Sequence, residues 1–251
     1  MPSKQLTTFA LLLALYIAAA VVYALIPGGM AAAQALSPAA VPPDIPMWQL
    51  ALANAGLILV AYGALGLAGL YLARRAGLPG IYRPEGGRGS WLTGPLAWGV
   101  AVGVVLVALD WAARSAGYQA FVHPPFPASL LASLTAGIGE EILFRLFVMS
   151  LWVSVLRWLL AGRQTSPLVL WLANGLAALA FSAGHLGTAM VLSGAATPAQ
   201  LPPVMLAEIL VLNGGLGLVA GRAFARDGLV AAAGIHFWAD VVWHVIYGLL
   251  G

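Results

Sequence analysis

The chain contains no cysteine, which excludes disulfides, thiolate nucleophiles and cysteine-based metal sites. Charge is scarce as well: 8% of its 251 residues are charged, where soluble domains carry about 25%. That is too little for an ordinary water-facing surface. The 11 basic residues include one lysine, Lys4, and they are scattered through short loops rather than gathered in a stripe. The formal net charge of +3 therefore carries no nucleic-acid signature. Low-complexity tails, a soluble domain and internal repeats are also missing, so the compartment has to be read from topology.

Apolar sequence is abundant: 62% of the residues are hydrophobic and the mean hydropathy is +0.95. Seven apolar stretches, 7–27, 47–73, 92–113, 128–160, 167–186, 203–221 and 229–250, are bounded by turn residues or charges. Each can cross a hydrocarbon core of about 30 Å at about 1.5 Å per residue, and the fourth is long enough to tilt or protrude. Lipid offers the backbone no hydrogen bonds, so only helices or closed barrels span it, and these runs are too long for barrel strands. The expected fold is all-α: a polytopic transmembrane helical bundle of about seven spans, eight at most, forming one integral membrane domain over 1–251.

Lys4, the first apolar run and the small-residue segment Ala33-Gln34-Ala35 resemble a cleavable signal peptide. The run is near 20 residues, against about 7–15 for a signal core, which favours an uncleaved first helix. With the N-terminus inside, Lys4, Arg74, Arg75, Arg83, Arg88, Arg157, Arg163, Arg222 and Arg226 all fall on the cytoplasmic side. Only Arg114 falls outside, Arg145 lies within a span, and the exterior loops 28–46 and 187–202 carry no Lys or Arg. This is the positive-inside pattern. It predicts a multi-pass protein of the cell (plasma) membrane with its C-terminus outside.

Ionisable groups within a bilayer are costly, so each requires a reason. In Glu140-Glu141-Ile142-Leu143-Phe144-Arg145, Glu141 and Arg145 share a helix face four residues apart and can pair. Glu140 points about 100° away and is left free for other work. A charge cluster that only fixed helix packing would account for the pair, not for the second carboxylate. Gly137 and Gly139 allow a neighbouring helix to approach. Phe181 and His185 share a face at the end of the fifth span, a weak signal alone because a histidine there is commonly interfacial. In the seventh, Asp240 lies one turn from His236, where a carboxylate can accept an Nδ1 proton and leave Nε2 to donate or ligate. A self-satisfied polar pair would look the same. His244, nearer the exterior, reads as structural, and Asp110 and Arg114 as an i,i+4 pair. Glu208 either lines the same cavity or bonds to Asn213 or Asn174.

The order Glu-Glu-x-x-x-Arg, Phe-x-x-x-His, His-x-x-x-Asp/Asn in a multi-spanning chain resembles the CPBP family, the CAAX-protease and bacteriocin-processing, Abi or Rce1-like group. The resemblance covers a core of about 128–245. It implies a glutamate-dependent intramembrane endopeptidase, with Glu140 as general base and His185 helping to hold the attacking water. His236 would donate to the oxyanion, with Asp240 completing that site and Glu141, Arg145 and Phe181 in support. Family members carry Asn or Asp at the last position. An ionised Asp cannot donate, so Asp240 acts either protonated or indirectly, by orienting His236. The indirect role is favoured here.

The chemistry stands without the family name, because peptide hydrolysis needs an activated water and a stabilised oxyanion. The implied partners are the bilayer and a membrane-anchored protein or peptide substrate: CAAX-type, an exported sorting tail, or a bacteriocin. No cofactor is expected. The alternative set of zinc ligands is Glu140, His185 and His236, with an open position for water. A non-proteolytic immunity factor, scaffold or transporter could reuse the same polar core, although no pair of broken helices in related halves supports transport. Glu140 and Asp240 fall near mid-membrane. His185 falls near the exterior end of its span, so the side to which a cavity would open stays undecided.

Overall fold

The computed structural model describes residues 2–27, 29, 45–115, 117, 123–160 and 165–250. Ala33-Gln34-Ala35 and Arg163 lie outside the described residues. Among the described residues seven helices are long and apolar enough to cross a membrane: α1 Ser3–Leu25, α2 Met47–Ala76, α3 Gly89–Ser115, α4 Ala128–Leu159, α5 Pro167–Val191, α6 Pro203–Asp227 and α7 Leu229–Leu249. The chain is a multi-pass membrane protein of all-α architecture. Its outer surface is lipid-like, with Leu57 and Val60 exposed. Exposed tryptophans mark both ends: Trp48 and Trp111 at one, Trp91, Trp158 and Trp171 at the other.

Local chemistry sets the helix ends. Ser166 caps α5, its Oγ accepting from the Val169 N–H at 3.3 Å, with Pro167 in the first turn. Gly77 ends α2 with φ +74°, just after Arg74 and Arg75, whose charges suit a helix C-terminus.

Helix α7 is the axis of the bundle, with 56% of its span buried inside the protein. Helix α3 reaches it through Gly99 and Gly103, where an added Cβ would lie 2.6 Å from the Ile235 carbonyl and 2.6 Å from Val242 Cβ. Gly137 does the same for α4, its notional Cβ 3.1 Å from Phe237 Cβ, while Gly139 admits Tyr16 of α1. The close approach expected of Gly137 and Gly139 thus serves two different neighbours.

The end that carries Lys4 is fastened by hydrogen bonds across the connections. Leu229 and Val230 N–H groups donate to Gly80 and Ile81 carbonyls at 2.9 Å, and Arg83 N–H donates to the Asp227 carbonyl at 2.9 Å. Gln5 of α1 holds the same 79–82 segment, donating to the Pro79 carbonyl at 3.0 Å and accepting from Ile81 N–H at 3.1 Å. Between α6 and α7 stands one residue, Gly228, at φ +99° and ψ −176°, a region open essentially to glycine alone.

Two expectations about the spans need correction. The fifth does not stop at 186: the backbone breaks at His185 and continues helically through Leu186–Ser193. The sixth runs past 221 to Asp227, because Arg222 and Arg226 project outward from its last turns.

Candidate active site

Among the described residues four π-helical segments interrupt the bundle, and three of them begin directly after an acidic residue. Ile142–Met149 follows Glu140 and Glu141, Ile209–Asn213 follows Glu208, and Val241–Ile246 follows Asp240. Such wide turns recur at functional sites. Of these carboxylates, Glu140, Glu208 and Asp240 line one space of about 270 Å³, together with His185, Asn213, His236, Trp243 and His244.

Glu141 and Arg145 pair as the spacing predicts, Oε2 to Nε at 3.3 Å, with both side chains fully buried. The Arg145 guanidinium also stacks 4.8 Å from the centre of the Phe181 ring. Phe181 in turn meets His185 and His236 edge-on, at centroid distances of 4.9 and 5.5 Å. One buried ring therefore separates the cation from both imidazoles and sets their spacing.

Glu140 faces the histidines. Its Oε2 lies 3.9 Å from His185 Nε2 and 3.8 Å from His236 Nε2, and the Glu140 and His185 side chains keep 32% and 33% of their surface. His185 Nδ1 sits 2.9 Å from the Phe181 carbonyl, which can only accept, so Nδ1 carries a proton and Nε2 is turned to Glu140.

His236 departs from expectation. Its Nδ1 donates to Glu141 Oε1 at 2.9 Å, not to Asp240. Asp240 Oδ2 instead lies 3.5 Å from Nε2. The side chain one turn along the same helix reaches only the far ring nitrogen, and the carboxylate that orients the imidazole comes from α4. Glu141 thus holds both Arg145 and His236.

Other sequence expectations divide. Asp110 Oδ2 takes Arg114 Nε at 2.6 Å, as anticipated, and accepts in addition from the Tyr247 hydroxyl at 2.9 Å. Glu208 lines the cavity, while Asn213 and Asn174 donate to the Ile209 and Leu218 carbonyls. His185 sits at a break, between the helix that ends at Gly184 and the one that begins at Leu186, and Thr188 and Ala189 beyond it also line the space. His244 meets His123 Nδ1 to Nδ1 at 3.0 Å. Nothing local in the sequence marks that contact between residues 121 positions apart. Asn213, expected only as a candidate partner of Glu208, itself lines the cavity. Among the described residues no group of three or more His, Cys, Asp or Glu side chains is arranged to hold a metal ion.

The model of one protein family, described as type II CAAX prenyl endopeptidase Rce1-like, matches residues 121–242. That stretch contains Glu140, Glu141, Arg145, Phe181, His185, His236 and Asp240. No curated protein and no solved structure matches the chain. The segment that builds this cavity is therefore similar to the Rce1-like family.

Proposed function

We propose that the chain is an intramembrane endopeptidase in which Glu140 activates a water to hydrolyse a peptide bond of a membrane-anchored protein. The observation that carries this reading is one carboxylate facing two imidazoles, from α4, α5 and α7, at 3.8 and 3.9 Å. Those gaps are too long for direct hydrogen bonds and suit a bridging water. Bound there, the water donates one proton to Glu140 and the other to His185 Nε2, whose lone pair is free because Nδ1 is the protonated nitrogen.

Hydroxide adds to the scissile carbonyl carbon as Glu140 takes the proton. The oxygen of that carbonyl becomes anionic and receives the His236 Nε2 proton as a hydrogen bond. For Nε2 to donate while Nδ1 donates to Glu141, the ring carries both protons. The charges then balance in two couples, Glu141 with Arg145 and Asp240 with His236, which leaves Glu140 uncommitted as the base. Glu140 passes its proton to the leaving nitrogen, the C–N bond breaks, and a carboxylic acid and an amine depart.

The side of action follows from position. Cavity residues Glu140 and Glu208 lie in the earlier part of α4 and α6, while His185, Trp243 and His244 lie in the later part of α5 and α7, away from the basic end. With the basic end cytoplasmic, the cavity occupies the outer half of the membrane and suits exported, membrane-anchored substrates. Alkaline phosphatase fused after Gly251 should be active, and an inactive fusion would reverse the orientation.

Glu140→Gln keeps the shape of the side chain and removes its basicity. Cleavage should fall about 10³-fold or more with the thermal unfolding midpoint unchanged. The substrate should emerge as a membrane-anchored protein that keeps its full length in the Glu140→Gln strain. If no protein differs in length or location between the two strains, the protease reading fails.

A further inference from the structure

At the basic end, α3 and α6 both lie against α7 and leave a furrow between them, distinct from the catalytic cavity. Its volume is about 350 Å³, with a neighbouring hollow of about 280 Å³ on the other side of Arg222 and Trp171. The walls are apolar: Pro95 and Trp98 from α3, Leu218 from α6, with Ala231 and Ile235 of α7 as the floor. Trp98 and Leu218 remain 57% and 40% exposed at this face.

Two arginines stand at the mouth, four residues apart on one face of α6. The Arg222 guanidinium lies 5.7 Å from the Trp171 ring centre, and among the described residues no carboxylate pairs with it. Arg226 is 62% exposed, and its Nε donates to Asp227 Oδ2 at 2.6 Å. That bond directs the planar group and leaves its terminal nitrogens for an external anion. Counting Asp227, which also lines the furrow, the group carries one net positive charge. The level is that of a helix end, where the hydrocarbon meets the headgroups.

We propose that this furrow seats one anionic glycerophospholipid, its phosphate on Arg222 and Arg226 and an acyl chain along Pro95, Trp98, Leu218 and Ile235. Guanidinium matches phosphate through paired N–H donors, which a neutral interface ligand would leave unused. A basic pocket between spans on the positively charged side has the chemistry of a headgroup site. An acyl chain covers the apolar floor, which a soluble anion would leave bare. The inference is independent of the protease reading.

The test is native mass spectrometry of the full chain released from nanodiscs of phosphatidylglycerol and phosphatidylcholine in equal parts. One phosphatidylglycerol per chain should be retained in preference to phosphatidylcholine. Arg222→Gln/Arg226→Gln should lower that retention about tenfold, the effect of losing one to two charge-assisted contacts. Arg74→Gln/Arg75→Gln, at the same level on α2, should leave it unchanged. Leu218→Trp, which fills the furrow and keeps both arginines, should also release the lipid. Equal retention of the two lipids overturns the proposal, as does unchanged retention in either the paired arginine variant or Leu218→Trp. Displacement of the lipid by inorganic phosphate alone would mark the arginines as a soluble-anion site and overturn it too.

Discussion

The two ends of the bundle are built on different terms. At the basic end, backbone groups of the 79–83 segment bond directly to the α6–α7 junction, and Gln5 ties α1 to the same segment. At the other end, helices meet through charged and aromatic side chains: Asp110 with Arg114 and Tyr247, and His123 with His244 and Trp243. Two wide-turn segments, Ile209–Asn213 and Val241–Ile246, also lie in that half, each beginning beside a cavity carboxylate. Main-chain bonds hold one end whatever the protonation state, whereas the end that holds the chemistry is held by groups that titrate. Stability and reactivity are thus assigned to opposite faces of one fold.

The sharpest way to break that division is at Glu141, which serves both. Glu141→Gln leaves the buried Arg145 cation uncompensated and weakens the hold on His236. A stability loss of about 3–5 kcal/mol is expected, together with about a 100-fold loss of cleavage. Thermal unfolding and a cleavage assay on one preparation check both, and a variant that loses activity alone would confine Glu141 to the cavity.

Gly228→Ala attacks the fastened end. A Cβ there would meet Tyr82 Cα at 2.8 Å at φ +99°, for a cost of about 1–3 kcal/mol or more. The unfolding midpoint should fall while kcat of the surviving folded protein stays near wild type. A fall in kcat at temperatures far below that midpoint would show the two ends to be coupled.

Asp240→Asn probes the cavity end alone. Asparagine keeps the shape beside His236 Nε2 and can itself donate to an oxyanion, so activity should stay within about tenfold of wild type. Total loss would show that the negative charge is indispensable.

The smallest effect is expected at His123, outside the spans. Burial, with Arg114 beside it, pushes its pKa below the ordinary value of about 6.5, against an opposing pull from Asp110. Its neighbours there are His244, Trp243 and Tyr247. Protonation therefore favours the unfolded chain. The stability contributed by this imidazole is whole above about pH 6.5 and is lost as pH falls through the lowered value. His123→Asn should flatten the acid side of the stability profile, and an unchanged slope would remove His123 as its cause.

The fold was legible because hydropathy alone sets where helices cross lipid; six of the seven expected spans begin within three residues of the observed ones. Within the site, contacts one turn apart were legible, as with Glu141–Arg145 and Asp110–Arg114. The Glu141–His236 bond was not, because it joins residues 95 positions apart on different helices, and the local pattern pointed instead to Asp240. The wide turns were equally hidden, since an apolar run reads the same in α or π form. His185 reads as close to the exterior end of its span because the apolar run is drawn to stop at 186, yet the helix resumes at Leu186 and runs to Ser193.

The one-residue corner at Gly228 constrains how a substrate could ever reach Glu140. Two rods joined at a fixed vertex part least beside it and most at their free tips. Over the 25 residues of α6, about 36 Å, a swing of about 5° displaces Pro203 by about 3 Å and leaves Asp227 almost unmoved. Any widening between α6 and α7 is therefore greatest on the side where the carboxylates gather, and the arginine side keeps its width.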